Sequence, residues 1–315
     1  MDKVKYFIGP MSKNIVDTII EYSQETQNLI GFVPSRRQVD YNRGYVNNWN
    51  TNEFSKYVDN KILLKRDHAG PGQGYTSDSG FRSLEEDCKF FDLIHIDPWK
   101  KYPEYDKGLD WTIDMINFCF KSNPKLQFEI GTEEAIRRFE PEELDKFIKD
   151  LQNKLNYNTF NQIKYIVVQS GTSLEGNTNT GTYNKNRLVS MLEVAKKYGL
   201  LSKEHNGDYI PSSLIKEKME LGLDSINIAP EFGLIETNTY LDNEIDIEKF
   251  WKICYDSNRW VKWVSEDFNP IINKIELIKI CGHYVFSDPQ FLDIKPDLDS
   301  LIKLNIKNKL NEFFG

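Results

Sequence analysis

Cysteine, histidine, basic excess and long apolar runs are all scarce in this 315-residue chain. The four cysteines, Cys88, Cys119, Cys254 and Cys281, are scattered with no CxxC spacing, which excludes a disulfide framework and a thiolate zinc site. No run approaches the roughly 18 uncharged apolar residues of a membrane span, so no membrane partner is expected. A net charge of −8 excludes the broadly basic surface that a phosphate backbone demands, and no nucleic-acid partner is expected either. The first turn reads IGPMSKN rather than GxGxxG, and no GxxxxGK[ST] occurs, so nucleotide-binding folds are disfavoured. The start MDKVKYFIGPMS lacks an apolar stretch followed by a small-residue cleavage site, and a cytoplasmic location is expected.

What is present is a period. Short β-rich apolar runs fall at residues 5–9, 28–33, 61–65, 92–96, 125–130, 164–169, 200–205 and 224–229. Between them lie helical patterns such as KNIVDTIIEY and NKNRLVSMLEVAKKYG, apolar at i, i+3, i+4 and i+7. The repeat averages about 31 residues, the size of one β/α unit of a closed parallel barrel. The fold expected is α/β, a (β/α)8 TIM barrel over residues 1–235, in preference to an open doubly wound sheet. Residues 236–315 read as an all-helical extension that completes and caps the barrel. Trp251, Trp260 and Trp263 lie close together there, as core of the cap or, alternatively, as an oligomer contact.

Active sites of such barrels lie just past the C-terminal ends of the strands. Polar residues stand at nearly every such place: SRRQVD, KRDHAGPGQG, HIDPWK, FEIGTEE, VVQSGTSLEGN, KEHNGDY and NIAPEFG. His68 and His205 end strands on opposite sides of the mouth and, with Glu129, suit an open three-ligand site for a divalent metal; singly, each also suits a hydrogen-bonded rim histidine. Gln169 is an additional metal contact or a sugar contact, with a buried structural amide as the alternative. His95 reads as a packed residue behind the site, and His283, in the helical extension, as structural. Asp67 and Asp97 are placed for acid/base work, although Asp97 before Pro98 also fits a turn starter. Arg36 or Arg37 is the expected anion contact, and the glycine-rich rim beginning at Gly70 offers backbone N–H groups.

With these residues in view, the chain resembles the family of the so-called non-catalytic subunit of class II tagatose-bisphosphate aldolase. Its relatives include zinc-dependent class II aldolases and ketohexose-phosphate 4-epimerases. The blocks that carry the resemblance occur in order over roughly residues 4–235: SRRQVD with Gly44-Tyr45, RDHAGPG, IHID, VVQSGT, EHNGDY and INIAPEF. The resemblance implies proton transfer by Asp67, metal ligation by His68 and His205, and a strand-five carboxylate at Glu129. Gln169 stands where the catalytic aldolases carry a histidine, and GTEEAIRR replaces the proline- and glycine-rich loop after strand five. The expected substrate contacts are Arg36, Gln38, Gly70 and Gln169, together with Ser170, Asn206 and Glu231. The expected activity is metal-dependent retro-aldol/aldol chemistry on a ketose phosphate, as a 4-epimerase or an aldolase. The metal expected is Zn2+, with Mg2+, Mn2+ or Ni2+ as alternatives. A subunit that stabilises a separate aldolase is the competing expectation, and a homo-oligomer or an aldolase subunit the expected protein partner.

Overall fold

A computed structural model describes residues 3–315. Eight parallel strands close into a barrel, each hydrogen-bonded to its sequence neighbours and the last to the first. They are β1 (Tyr6–Ile8), β2 (Ile30–Phe32), β3 (Leu63–Ala69) and β4 (Leu93–Ile96), then β5 (Gln127–Ile130), β6 (Ile163–Val168), β7 (Leu201–Glu204) and β8 (Ser225–Ile228). Closure pairs Tyr6 with Ile226 and Ile8 with Ile228. The expected (β/α)8 barrel with a helical extension is therefore the observed fold.

Local chemistry places the helices between the strands. Ser12 caps Lys13–Thr26 by accepting from the Ile15 N–H. Asn50 and Glu53 form a reciprocal capping box on Thr51–Val58, and Pro141 opens Pro141–Lys154, where a missing N–H costs nothing. Each helix turns a buried stripe onto the strands.

Inside the barrel, period-two alternation stacks three layers. Leu63, Leu93 and Leu201 pack with Phe7 and Tyr165 as an apolar floor. Two residues further along their strands come Lys65, His95 and Lys203, and two further Asp67, Asp97 and His205. The inward columns thus change from apolar to charged to site-forming as the strands rise.

After β8 the chain is helical throughout, in Pro230–Leu241, Ile247–Asp256, Lys274–Cys281, Pro289–Ile294 and Asp299–Phe314 with short 3-10 turns between them. The helix Pro230–Leu241 runs through residue 235, where the division between barrel and extension was expected. The pattern DIEKFWKICYDSNRWVKWV reads as one amphipathic helix in the sequence, but the helix stops at Asp256 because Ser257 turns its hydroxyl back onto the Cys254 carbonyl and Asn258 takes a left-handed φ of 54°. The final helix lays Phe313 against Tyr6 at 5.0 Å between ring centres, and the Tyr6 hydroxyl donates to the Phe313 carbonyl at 3.1 Å. Trp251, Trp260 and Trp263 pack, half-buried, onto the same apolar cluster as β1 and β8.

Candidate metal centre

The mouth of the barrel gathers Asp67, His68, His95 and His205, whose ligand-type atoms all lie within 4.8 Å of one another. The three imidazole rings form a near-equilateral triangle, with centres 4.8, 4.9 and 5.0 Å apart. Strand alternation accounts for Asp67, His95 and His205. It would send His68 outward, next to Asp67. The ladder between β3 and β4 slips between Arg66 and Ala69, and His68 adopts a left-handed φ of 43°, so consecutive residues both reach the mouth.

Each ring is anchored through one nitrogen. His68 Nδ1 lies 2.6 Å from Asp97 Oδ2, His95 Nε2 lies 3.0 Å from the Gly131 carbonyl oxygen, and His205 Nε2 lies 2.8 Å from Glu129 Oε1. An acceptor at each of these nitrogens fixes the ring's orientation and turns the other nitrogen toward Asp67. Those other nitrogens stand around the Asp67 carboxylate at 3.7 Å for His68 Nε2 and 3.9 Å for His95 Nδ1 and His205 Nδ1. His95 Nδ1 also accepts the strained His68 N–H at 3.2 Å, which makes His95 the most committed of the three.

The electrostatics follow from this packing. Burial alone would raise the Asp67 pKa, but His68, His95, His205 and Lys65 hold it well below the ordinary carboxylate range. Burial would lower His68, yet Asp67, Asp97 and Glu133 outweigh it and hold its pKa well above the ordinary value. Burial, then Lys65, brings His205 down to about 4, which keeps it the neutral imidazole that metals bind. Asp97, fully buried, accepts from Gln73 Nε2, Thr132 Oγ1 and the Trp99 N–H as well as facing His68; its atoms are spent on orientation.

No protein-family model matches the sequence, and no curated protein matches it. Solved structures do. A probable tagatose 6 phosphate kinase from Sinorhizobium meliloti 1021 is 15% identical over 99% of both chains, with a TM-score of 0.79. The fructuronate-tagaturonate epimerase UxaE from Cohnella laeviribosi is 8% identical over 99% of this chain and 78% of that one, with a TM-score of 0.62. The YdjI aldolase from Escherichia coli K12 is 12% identical over 99% and 91%, with a TM-score of 0.57. At these identities the shared property is the barrel, which is the fold that the strand period predicts.

The remaining expected residues divide sharply. Glu129 lies below the imidazoles, with Oε1 2.7 Å from Lys65 Nζ and Oε2 2.9 Å from Lys203 Nζ; it touches His205 but stands outside the four-residue group. Gln169 is outside it too. Its carbonyl oxygen accepts from the Phe139 N–H and its amide donates to the Thr132 and Arg137 carbonyls, so the side chain ties down the loop after β5. Arg36 is buried between Asp40 and Asp78 and donates to the Gly70 carbonyl. Gly70 itself sits where a Cβ would collide with the Asp97 carbonyl. Ser170 donates to Glu204 at 2.5 Å, and Glu231 accepts the Tyr209 N–H while pairing with Lys309. Gln38 and Asn206 do line the cavity above the cluster, a space of about 450 Å³ shared with Asp67 and His68.

Several cavity residues carried no sequence signal that singled them out. Glu133 reaches within 3.6 Å of His68 Nε2 and accepts from Asn206 Nδ2 at 2.9 Å. Its only hint was its place three residues past β5, in the GTEE loop. Lys262, Trp263, His283 and Tyr284 close the far wall from the extension. Burial, then Lys262 and Arg259, holds His283 neutral with a pKa of about 3.

Proposed function

We propose that this chain is a metal-dependent carbohydrate enzyme that acts on a ketose phosphate by retro-aldol and aldol chemistry, as a sugar-phosphate 4-epimerase or an aldolase. The observation that carries the reading is the anchored triangle of imidazoles around Asp67 at the floor of an open cavity. The donor set fits a divalent ion: imidazole nitrogens and a carboxylate, each ring held from behind by an acceptor, where an arriving cation would displace the proton that the carboxylates hold on His68. His68, His205 and Asp67 would hold it, with His95 beside them; Zn2+ suits these ligands best, and Mg2+, Mn2+ or Ni2+ are alternatives. When bound, such an ion supplies Lewis-acid polarisation of the ketose carbonyl and stabilises negative charge left at the cleaved bond.

The chain's own side chains do the rest. Asp97 and Glu129 keep His68 and His205 in register. Asp67 and Glu133 are the two carboxylates that face the cavity, and they move the proton on the hydroxyl at the bond being made or broken. Release of the aldehyde fragment gives an aldolase; retention, rotation and re-addition give epimerisation.

A non-catalytic subunit that stabilises a separate class II tagatose-bisphosphate aldolase would need no such machinery. The complete ligand group within one chain therefore favours catalysis over that alternative. Incubating the protein with fructose 6-phosphate or tagatose 6-phosphate and each metal in turn tests the reading. Metal-dependent interconversion or cleavage, lost in Asp67→Asn and His205→Ala, is the expected result. Equal turnover by those variants would sink it.

A further inference from the structure

The cavity has two chemically different ends. Asp67, His68 and Glu133 stand beside the imidazoles, while Arg37, Lys100 and Lys262 line the cavity as a cationic group whose two lysines are exposed at the lip. The three cations come from separate segments: the loop after β2, the loop after β4, and the 3-10 turn Val261–Trp263 of the extension. Among the described residues, none of the three forms an ion pair, in a chain with 48 acidic and 40 basic side chains. The neighbouring Arg36 shows the contrast, since two aspartates neutralise it completely.

The lip is built as well as charged. Lys262 Nζ lies 4.0 Å from the Trp263 ring centre, and Trp263 Nε1 donates to the Tyr284 hydroxyl at 3.1 Å. Arg259 reinforces the same side, donating to the Tyr75 hydroxyl at 2.6 Å while its guanidinium lies against Tyr45, Tyr75 and Tyr284. A side opening of about 300 Å³ joins Arg37, Arg259 and Lys262. Like charges held this close repel. Burial at the crowded lip, then Arg37, Lys100 and Arg259, brings the Lys262 pKa down to about 7; Glu133 opposes them. Lys100 is lowered by burial and Arg37, against Asp97 and Glu133. An oxyanion among these groups would relieve that repulsion and gain charge-assisted hydrogen bonds.

We propose that Arg37, Lys100 and Lys262 form the subsite for the anionic terminal group of an extended sugar whose other end reaches Asp67 and His68. This rests on the reading of the mouth as a ketose site. The helical extension is then part of the specificity apparatus, since Lys262 belongs to it. The shared chemistry is an oxyanion on the sugar carbon farthest from the reacting centre, either a phosphoryl group or a carboxylate. A cavity of about 450 Å³ suits one small sugar rather than a polymer.

Calorimetric titration of the intact chain tests the subsite by binding, separately from turnover. The probes are a ketohexose 6-phosphate, the same ketohexose without phosphate, the corresponding ketohexuronate, and inorganic phosphate. Lys262→Gln and Lys100→Gln change exposed side chains, so both variants are expected to fold, and an unchanged melting temperature checks this. Each is expected to weaken the anionic sugar roughly tenfold and leave the uncharged ketohexose unchanged. Loss confined to the 6-phosphate identifies a phosphoryl group; loss confined to the ketohexuronate identifies a carboxylate. Unchanged affinity for both anionic sugars overturns the subsite, and the ketose reading then stands or falls on the Asp67→Asn turnover assay. Conversely, inorganic phosphate that binds wild type and Asp67→Asn alike but is lost by Lys262→Gln supports the subsite, even where no ketose turns over.

Discussion

Two charged clusters sit one above the other in this barrel, and they are wired in opposite ways. The lower one, Lys65, Glu129 and Lys203, is sealed from solvent, and every charge faces an opposite charge or an aromatic ring; Lys203 lies 3.3 Å from the Phe7 ring centre. Burial and then the repulsion of Lys65 push the Lys203 pKa well down, while Lys203 and Lys65 overcome burial to hold Glu129 well below the carboxylate range. The upper one, Asp67 with three histidines, opens on the cavity and leaves one nitrogen of each ring turned toward Asp67. Closed pairing belongs to stability and open valence to chemistry; the short contact of His205 with Glu129 joins the two, with Lys65 to Asp67 and His95 to Glu129 as longer ones at 3.8 Å.

The sharpest way to break that distinction is to remove a charge from each layer. Asp67→Asn should cut turnover on the order of a thousandfold, since it strikes a ligand and a proton carrier together, and lower the urea midpoint less than a break in the sealed lower cluster does. Glu129→Gln should strike stability first and turnover only through the lost anchor of His205. It leaves Lys203 without a carboxylate and Lys65 with only Asp67 at 3.8 Å, so a loss of about 3 kcal/mol in denaturant unfolding is expected. Similar unfolding curves for the two variants would erase the division between the layers. Asp97→Asn is subtler, because it removes the anchor of His68 without touching the mouth; metal affinity should fall roughly 10- to 100-fold in competition with a chelator. An unaltered affinity would mean that the bulge alone orients His68.

The smallest effect lies away from both clusters. Burial pushes Glu236 up from 4.5 to about 7, against hydrogen bonds from Ser12 and Asn14. The folded chain therefore keeps a proton that the unfolded chain has released above 4.5, and stability falls as pH rises from 4.5 towards 7. Glu236→Gln should flatten that slope and raise stability above pH 7 by about 1–2 kcal/mol in thermal melts. A slope that persists in the variant would assign it to other groups.

The barrel was legible because parallel strands covered on both faces are written as continuous apolar runs, and their spacing counts the units. The site was legible only as far as alternation holds. Asp67 and His205 lie on inward columns that a two-residue period predicts. His68 reaches the mouth through a register slip and a left-handed backbone, neither of which has a residue signature here. His95 lies on an inward column as well, and its ring completes the triangle. Glu129 and Gln169 stand at the expected strand ends, but neighbours from other strands decide what their atoms do. Arg36 and Arg37 are adjacent in sequence and both border the cavity, yet Asp40 and Asp78 pair with Arg36 while no carboxylate among the described residues pairs with Arg37. Lys262 belongs to a segment far along the chain from the strands whose site it borders, a proximity that only the closed fold creates.

The central claim is that the upper cluster is a metal centre. It is tested most directly by elemental analysis of the purified protein together with anomalous diffraction at the absorption edge of the metal found. One divalent ion per chain, with contacts of about 2.0–2.2 Å to nitrogens of His68 and His205 and a contact to Asp67, is the predicted result. A protein that takes up no ion from an excess of Zn2+, Mg2+, Mn2+ or Ni2+, or that binds one away from these side chains, would contradict it.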